Sequence, residues 1–385
     1  MWAMMAFFSF FQFFMQISGN LMESAWQNAF HINQTMVGFL SSSFFYGYIL
    51  VQIPAGFFFD AIGMKKVIRI AVSLFVFGMI LLTATSSIYC GLLGRLMMGS
   101  GAGFAFIAMV YSAASWFGPA LLTAFVGMGE MLSMLLTAGA QAGTPILILH
   151  YGWRMVLSGF ILMGLIFLIL VFRFLENPPH HQKCTTKIWP LFKSHWQTVV
   201  KTPNVWIAGL YCCGLFSVIT VFASLWANPY LQLRYHLDYL SASHFIAWVP
   251  LGFGLGCPIL GAINERFISH KRLMILQAAL LFCFSLVMMY AGTHLFLLGL
   301  SLFCMGFLGG GNVIGFYIAE RSVAPDVRGI AIGLCNAITI FGAIVFQPLI
   351  GLLWPHFGVH TMLVFPGLLL LSCVMTLIYK NKPTL

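Results

Sequence analysis

With 385 residues, 61% of them hydrophobic and only 7% charged, and a mean hydropathy of +0.97, the chain lies far from the roughly 25% charged residues of soluble domains. That composition excludes a soluble globular fold. Apolar runs of about 20 residues without strand-like alternation exclude a membrane β-barrel as well.

The pattern predicts an all-α membrane protein of twelve transmembrane helices. They fall near residues 3–22, 34–58, 66–85, 88–113, 120–142, 152–175, 203–232, 240–264, 271–291, 294–320, 327–353 and 358–379. The first helix has neither a basic leader nor a small-residue cleavage site, so it is not expected to be a signal peptide. It carries Gln12, Gln16 and Asn20 at i, i+4 and i+8, three amides on one face. Lipid would leave them unsatisfied, so that face is expected to look inward.

Between the second and third helices lies a charged turn bounded by glycines: Gly56, Asp60, Gly63, Lys65 and Lys66. Glycine lets the backbone turn tightly at the membrane surface, and the two lysines anchor the loop. A degraded copy recurs 205 positions later at Gly261, Glu265, Arg266 and Lys271, so the chain reads as a duplication.

Arg95 in the fourth helix and Glu130 in the fifth are the costly charges. At 1.5 Å per residue, Arg95 lies roughly 10 Å and Glu130 roughly 15 Å from the nearer helix end. A lone charge at such depth costs at least about 3 kcal/mol, so each needs a partner or a cavity. Two readings stay open here: a buried ion pair between them, or Glu130 as a proton carrier with Arg95 holding a substrate carboxylate.

The polar stretch at 176–202, with Pro178, Pro179, His180, His181 and four lysines, divides the chain into bundles at 1–175 and 203–385. Residues 188–200 of this linker have the pattern of a short interfacial helix. No metal or other cofactor is expected. The cysteines show no C-x-x-C spacing, and His180, His181 and Cys184 lie on a segment that fixes no ligand geometry.

Further polar groups sit on the fourth helix (Tyr111), the seventh (Ser217, Thr220, Ser224, Asn228) and the tenth (Asn312, Tyr317). Tyr46, Gln52, Trp226, Trp248, Asn336 and Gln347 rank second. Glu320 and Arg328 are expected to stabilise a gate at the end of the tenth helix. The glycine runs at 99–103, 252–256 and 309–311 lack the strand and ribose ligand of a nucleotide fold, and read as helix-packing positions.

On this topology 15 of the 18 Lys and Arg residues fall on one side. The +10 net charge is therefore topological rather than a nucleic-acid footprint, and it places both termini and the linker in the cytosol. No metalloprotease, nucleophile-elbow or ATP-loop pattern occurs, so no enzyme is expected.

The first turn, Arg95 to Gly103, Gly152-Trp153-Arg154, Leu225 to Leu231 and Pro325 to Gly333 together resemble the major facilitator superfamily (MFS) of secondary transporters, over essentially the whole chain. The resemblance implies two pseudo-symmetric six-helix bundles and a central cavity lined by helices one, four, seven and ten. It also implies a substrate role for Arg95 and a latch in which the Asp60 turn engages the start of the eleventh helix. Glu265 and Arg266 would form a weaker mirror latch. The glycine-proline pair of the antiporter pattern is broken by Thr144, before Pro145, which favours uptake over exchange.

The expectation is a monomeric, proton-coupled permease of a bacterial inner membrane, embedded in the lipid bilayer. It would carry a small polar solute such as an amino acid, dipeptide or organic anion, and one cavity arginine with one buried acid fits a zwitterion best. An exporter of drugs or siderophores, or a non-transporting receptor, are the alternatives.

Overall fold

The computed structural model describes residues 1–117, 119–177, 195–266, 269–290, 292, 294–324 and 327–379, less the side chains of a few residues within helices. Among these the regular structure is all helix. Eight helices are long and apolar enough to cross a membrane. Two of them, 124–174 and 328–378, are double spans broken at Gly152 (φ 76°) and Gly358 (φ 52°), left-handed positions that glycine reaches at little cost. With Trp2–Phe30 and Gln34–Ile62 the spans number twelve among the described residues.

The first span is α1 (Trp2–Ile17) continued by α2 (Gly19–Phe30), the second α3 (Gln34–Ile62), the third α4 (Met64–Ala84). The fourth is α5 (Ile88–Ala102) with α6 (Ala105–Phe117), and α7 (Pro119–Phe174) supplies the fifth and sixth. The seventh runs through α8 (Pro203–Ser217), a π-helix at Val218–Trp226, and α9 (Ala227–Tyr235). The eighth is α10 (Tyr239–Ile246) with α11 (Trp248–Arg266), and the ninth α12 (His270–Tyr290). The tenth is α13 (Leu295–Gly309), a 3-10 turn at Gly310–Asn312, and α14 (Val313–Arg321). α15 (Arg328–Phe357) and α16 (Val364–Ile378) complete the set.

The duplication read from the turn is written into the packing. His31 and His236, 205 apart, both end a helix in the left-handed region, at φ 52° and 53°. Two residues on, Asn33 and Asp238 cap the next helix, accepting from the amides of Met36 and Ser241, again 205 apart. The second and fourth spans cross where Gly47 meets Leu96 and Gly99 meets Phe44. The eighth and tenth cross where Gly252 meets Phe303 and Gly306 meets Val249. These contacts are backbone against backbone with no room for a Cβ, so small residues set the crossing.

An even number of spans puts residues 1, 195–202 and 379 on one face, here the linker face. Contacts between the two sets of helices concentrate toward the opposite face. The second span meets the eleventh there, Gly38 against Gln347 and Gly351 against Gln34, and the first meets the seventh, Gly19 against Ser224. Toward the linker face α6 packs on α1, α4 and α7, while α14 packs on α8, α11 and α15. Each stays within its own set. The sets are therefore joined at the opposite face, and the fifth and eighth spans also meet at mid-depth, Met134 against Gly254.

Around the first turn, Gly63 has φ 84° and ends α3, the amide of Lys65 donates to Asn177 Oδ1 at 2.9 Å, and Lys66 is exposed. What Gly56, Asp60, Glu265 and Arg266 meet lies outside the described residues, as do Pro325 and Asp326. So do His180, His181, Cys184 and the first part of the expected interfacial helix, of which 195–200 is helical.

Candidate functional site

All three amides of the first span are buried. Gln12 donates to Gln16 Oε1 at 2.5 Å, as the i, i+4 spacing predicts, which leaves Gln12 Oε1 and Gln16 Nε2 buried with no protein partner. A buried amide without partners is costly unless water or a ligand completes it. Asn20 is engaged differently. It exchanges hydrogen bonds with Gln141 of the fifth span (2.9 and 3.3 Å) and donates to the carbonyls of Ile17 (2.5 Å) and Ala223 (2.7 Å). The last acceptor lies in the π-helical part of the seventh span, so Asn20 ties the two sets of helices together.

The seal continues around Asn20. Tyr239 of the eighth span donates to the Leu21 carbonyl at 2.8 Å, and Thr35 of the second reaches the Gly351 carbonyl at 3.3 Å. Gln347 of the eleventh span donates to the Thr220 carbonyl (2.6 Å) and Ser224 Oγ (2.7 Å), while its own carbonyl accepts from the Trp226 indole at 3.1 Å. The π-helix widens the seventh span where these side chains insert, and such segments recur at functional sites.

Arg95 is fully buried. Its guanidinium donates to the carbonyls of Met15 (2.9 Å) and Ser41 (3.2 Å), and lies over the rings of Phe44 and Trp26 at 5.0 and 5.5 Å. Nε has no partner, and among the described residues no carboxylate pairs with this charge. The ion pair with Glu130 that the sequence left open is not formed.

Glu130 is partly exposed as a residue, but its Oε1 is buried without a partner. It lies near the Tyr48 hydroxyl of the second span and the Cys257 thiol of the eighth. Tyr48 in turn interacts with Asn336 of the eleventh span and with Gln52, whose amide donates to the Gly103 carbonyl at 3.1 Å. The acid thus stands where helices of both sets converge.

The other expected site residues scatter. Tyr111 stacks on Phe59 within the amino-terminal set, at 5.4 Å between centroids. Asn228 is engaged within the carboxy-terminal set, donating to Ser243 Oγ at 2.7 Å and accepting from Gln232 at 2.8 Å. Asn312 is buried in the 3-10 break of the tenth span. Tyr317 sits near the linker face against His270 (4.9 Å), too far along the helix for a mid-depth contact. Glu320 and Arg328, both half-exposed, form an ion pair at 3.5 Å between the tenth and eleventh spans. Reasoning from the sequence missed Gln141, a lone amide in an apolar span that the rule applied to the first helix would have flagged.

Twelve spans in two repeated sets, joined at one face around buried amides and holding a buried guanidinium and a buried carboxyl oxygen without acid or donor partners among the described residues, are the architecture of a membrane transporter. The sequence profile of the Major Facilitator Superfamily matches residues 2–334 and 251–385, and the chain belongs to that family. It is a transporter and not an enzyme.

Among curated relatives, the chain is 22% identical over 333 residues to the chloroplastic ascorbate transporter of Arabidopsis thaliana, covering 80% of this chain and 61% of that protein, less than two thirds of its length. It is 24% identical to the chloroplastic sodium-dependent phosphate transport protein 1 of the same plant (84% and 67% covered) and to probable anion transporter 7 of Oryza sativa subsp. japonica (84% and 80%). In fold it is similar to a bacterial homologue of the lysosomal transporter Spinster, with TM-score 0.75, 13% identity and 98% and 95% of the two chains covered. It is also similar to a D-xylose–proton symporter, with TM-score 0.72, 15% identity and 100% and 97% covered.

Proposed function

We propose that this protein is a secondary active transporter of a small anion, organic or inorganic, working by rocking of the bundles at 1–175 and 203–385 about the central site. The observation that carries the reading is Arg95, a fully buried guanidinium held by two carbonyls and two aromatic faces and paired with no acid among the described residues. A positive charge kept unpaired inside a membrane protein is poised for an anion. The names of the relatives, which include ascorbate, phosphate and anion transporters, point the same way. The zwitterion favoured by the charge inventory draws no such support from the names of the relatives.

Glu130 is the proposed proton site for coupled uptake. It stands near Tyr48 of the second span and Cys257 of the eighth, one from each set, where a change of charge can bias their contact. With the Lys and Arg excess at the linker face, that face is cytosolic, and the contacts that join the two sets at the opposite face favour an inward-facing state, in a bacterial inner membrane with both termini inside.

Solute counterflow in proteoliposomes tests this. Ascorbate, phosphate, sugar phosphates and dicarboxylates should include exchanging solutes, and Arg95→Gln should abolish that exchange while the protein still purifies as a folded species. Exchange confined to neutral amino acids or dipeptides, or exchange indifferent to Arg95→Gln, would overturn the proposal.

A further inference from the structure

One groove lies apart from the buried amides, Arg95 and Glu130, on the outer wall of the amino-terminal set. It measures about 780 Å³ and lies on the membrane-facing side, between the third, fourth and sixth spans. Its walls are almost wholly apolar, with Ile70, Phe77, Ile80 and Leu165 among them, but Lys66 and Arg69 stand at its linker-face end. From Lys66 to Ile80 it follows α4 for about 21 Å, more than the roughly 15 Å depth of one leaflet. The guanidinium of Arg69 is fixed there. It donates to the Phe172 carbonyl across the groove and lies over the Phe172 ring at 4.8 Å.

We infer that this groove is a binding site for one anionic phospholipid of the linker-side leaflet, its phosphate between Lys66 and Arg69 and an acyl chain along α4 beneath them. Two features separate it from the ordinary lipid-facing surface. Both cations lie at one end of the trough, matching an amphiphile with a single charged head, and basic pockets between spans are where acidic headgroups settle. The trough is also a concavity rather than a ridge, so an acyl chain within it is in contact on several sides. A purely apolar occupant would leave the cations unused. A free phosphate would leave the trough empty. Because the groove lies outside the central route, the assignment stands apart from the transport reading.

The test is thermal melting of the purified full chain in detergent, titrated with dioleoyl phosphatidylglycerol, dioleoyl phosphatidylcholine or inorganic phosphate. Phosphatidylglycerol should raise Tm at lower concentration than phosphatidylcholine, and added salt should shrink the difference. Lys66→Gln with Arg69→Gln should erase the difference. Arg272→Gln, a basic residue elsewhere on the same face, should leave it intact. Ser73→Trp, which fills the trough, should weaken the response to both lipids. If the double variant does not fold, Lys66→Gln alone must reduce the preference. Equal response to the two lipids in the unmodified protein, preference surviving in the double or single variant, or an equal shift with inorganic phosphate would each overturn the inference.

Discussion

Arg95 and Glu130 stand out in the sequence because charges are scarce in apolar helices, and the structure buries the guanidinium and one carboxylate oxygen of this pair. Their partners are a different matter. The acceptors for Arg95 are carbonyls of Met15 and Ser41, and no residue pattern announces a backbone acceptor, because the helix crossing alone decides which carbonyl is presented. The same holds for Glu130, whose neighbours Tyr48 and Cys257 come from distant spans. If Glu130 carries the coupling proton, Glu130→Gln should abolish proton-driven accumulation in proteoliposomes while sparing counterflow, since exchange of solute for solute needs no net proton movement. Accumulation at the unmodified rate would remove Glu130 from the mechanism.

Helices were legible as elements because runs of about 20 apolar residues admit little else in a bilayer. What the pattern conceals is where a helix changes its hydrogen-bond register. The π-helix at Val218–Trp226 reads as ordinary apolar sequence, and it exists where Gln347 and Asn20 offer donors to the Thr220 and Ala223 carbonyls. Capping is legible in principle, since Asn33 and Asp238 each precede a helical run by one residue. At Asp238 the hydrogen bond with Ser241 holds the carboxyl below the usual aspartate range. A carboxyl depressed in the folded state contributes stability above its unfolded value near about pH 4 and loses it as pH falls through the folded value. The Tm advantage of the unmodified protein over Asp238→Ala should therefore shrink as pH is lowered through that range. The advantage of Asp238 over Asp238→Asn should behave likewise, while the amide itself caps at every pH. A difference constant with pH would show that the charge of Asp238 contributes nothing to the eighth span.

For the whole molecule, the proposed rocking mechanism treats the two sets of helices as bodies, and function under it reduces to which face they close. The present state is held at one face by Asn20, Tyr239, Thr35 and the glycine contacts of Gly38 and Gly351. Each hydrogen bond is worth about 1 kcal/mol net, so the seal amounts to a few kcal/mol, enough to dominate a two-state equilibrium yet small enough for a ligand to reverse. A Cβ at Gly38 would meet the Gln347 carbonyl at 2.7 Å and Pro348 Cα at 2.8 Å, both backbone atoms that cannot swing aside. Gly38→Val should therefore pry the second and eleventh spans apart at the sealed face and shift the population toward the state open there. Spin-label distances across that face should lengthen, those across the linker face should shorten, and the two changes must appear together, because rigid halves cannot open one end without closing the other. Lengthening at the sealed face with no change at the linker face would mean that the spans deform locally, and rocking of intact halves would not describe this transporter.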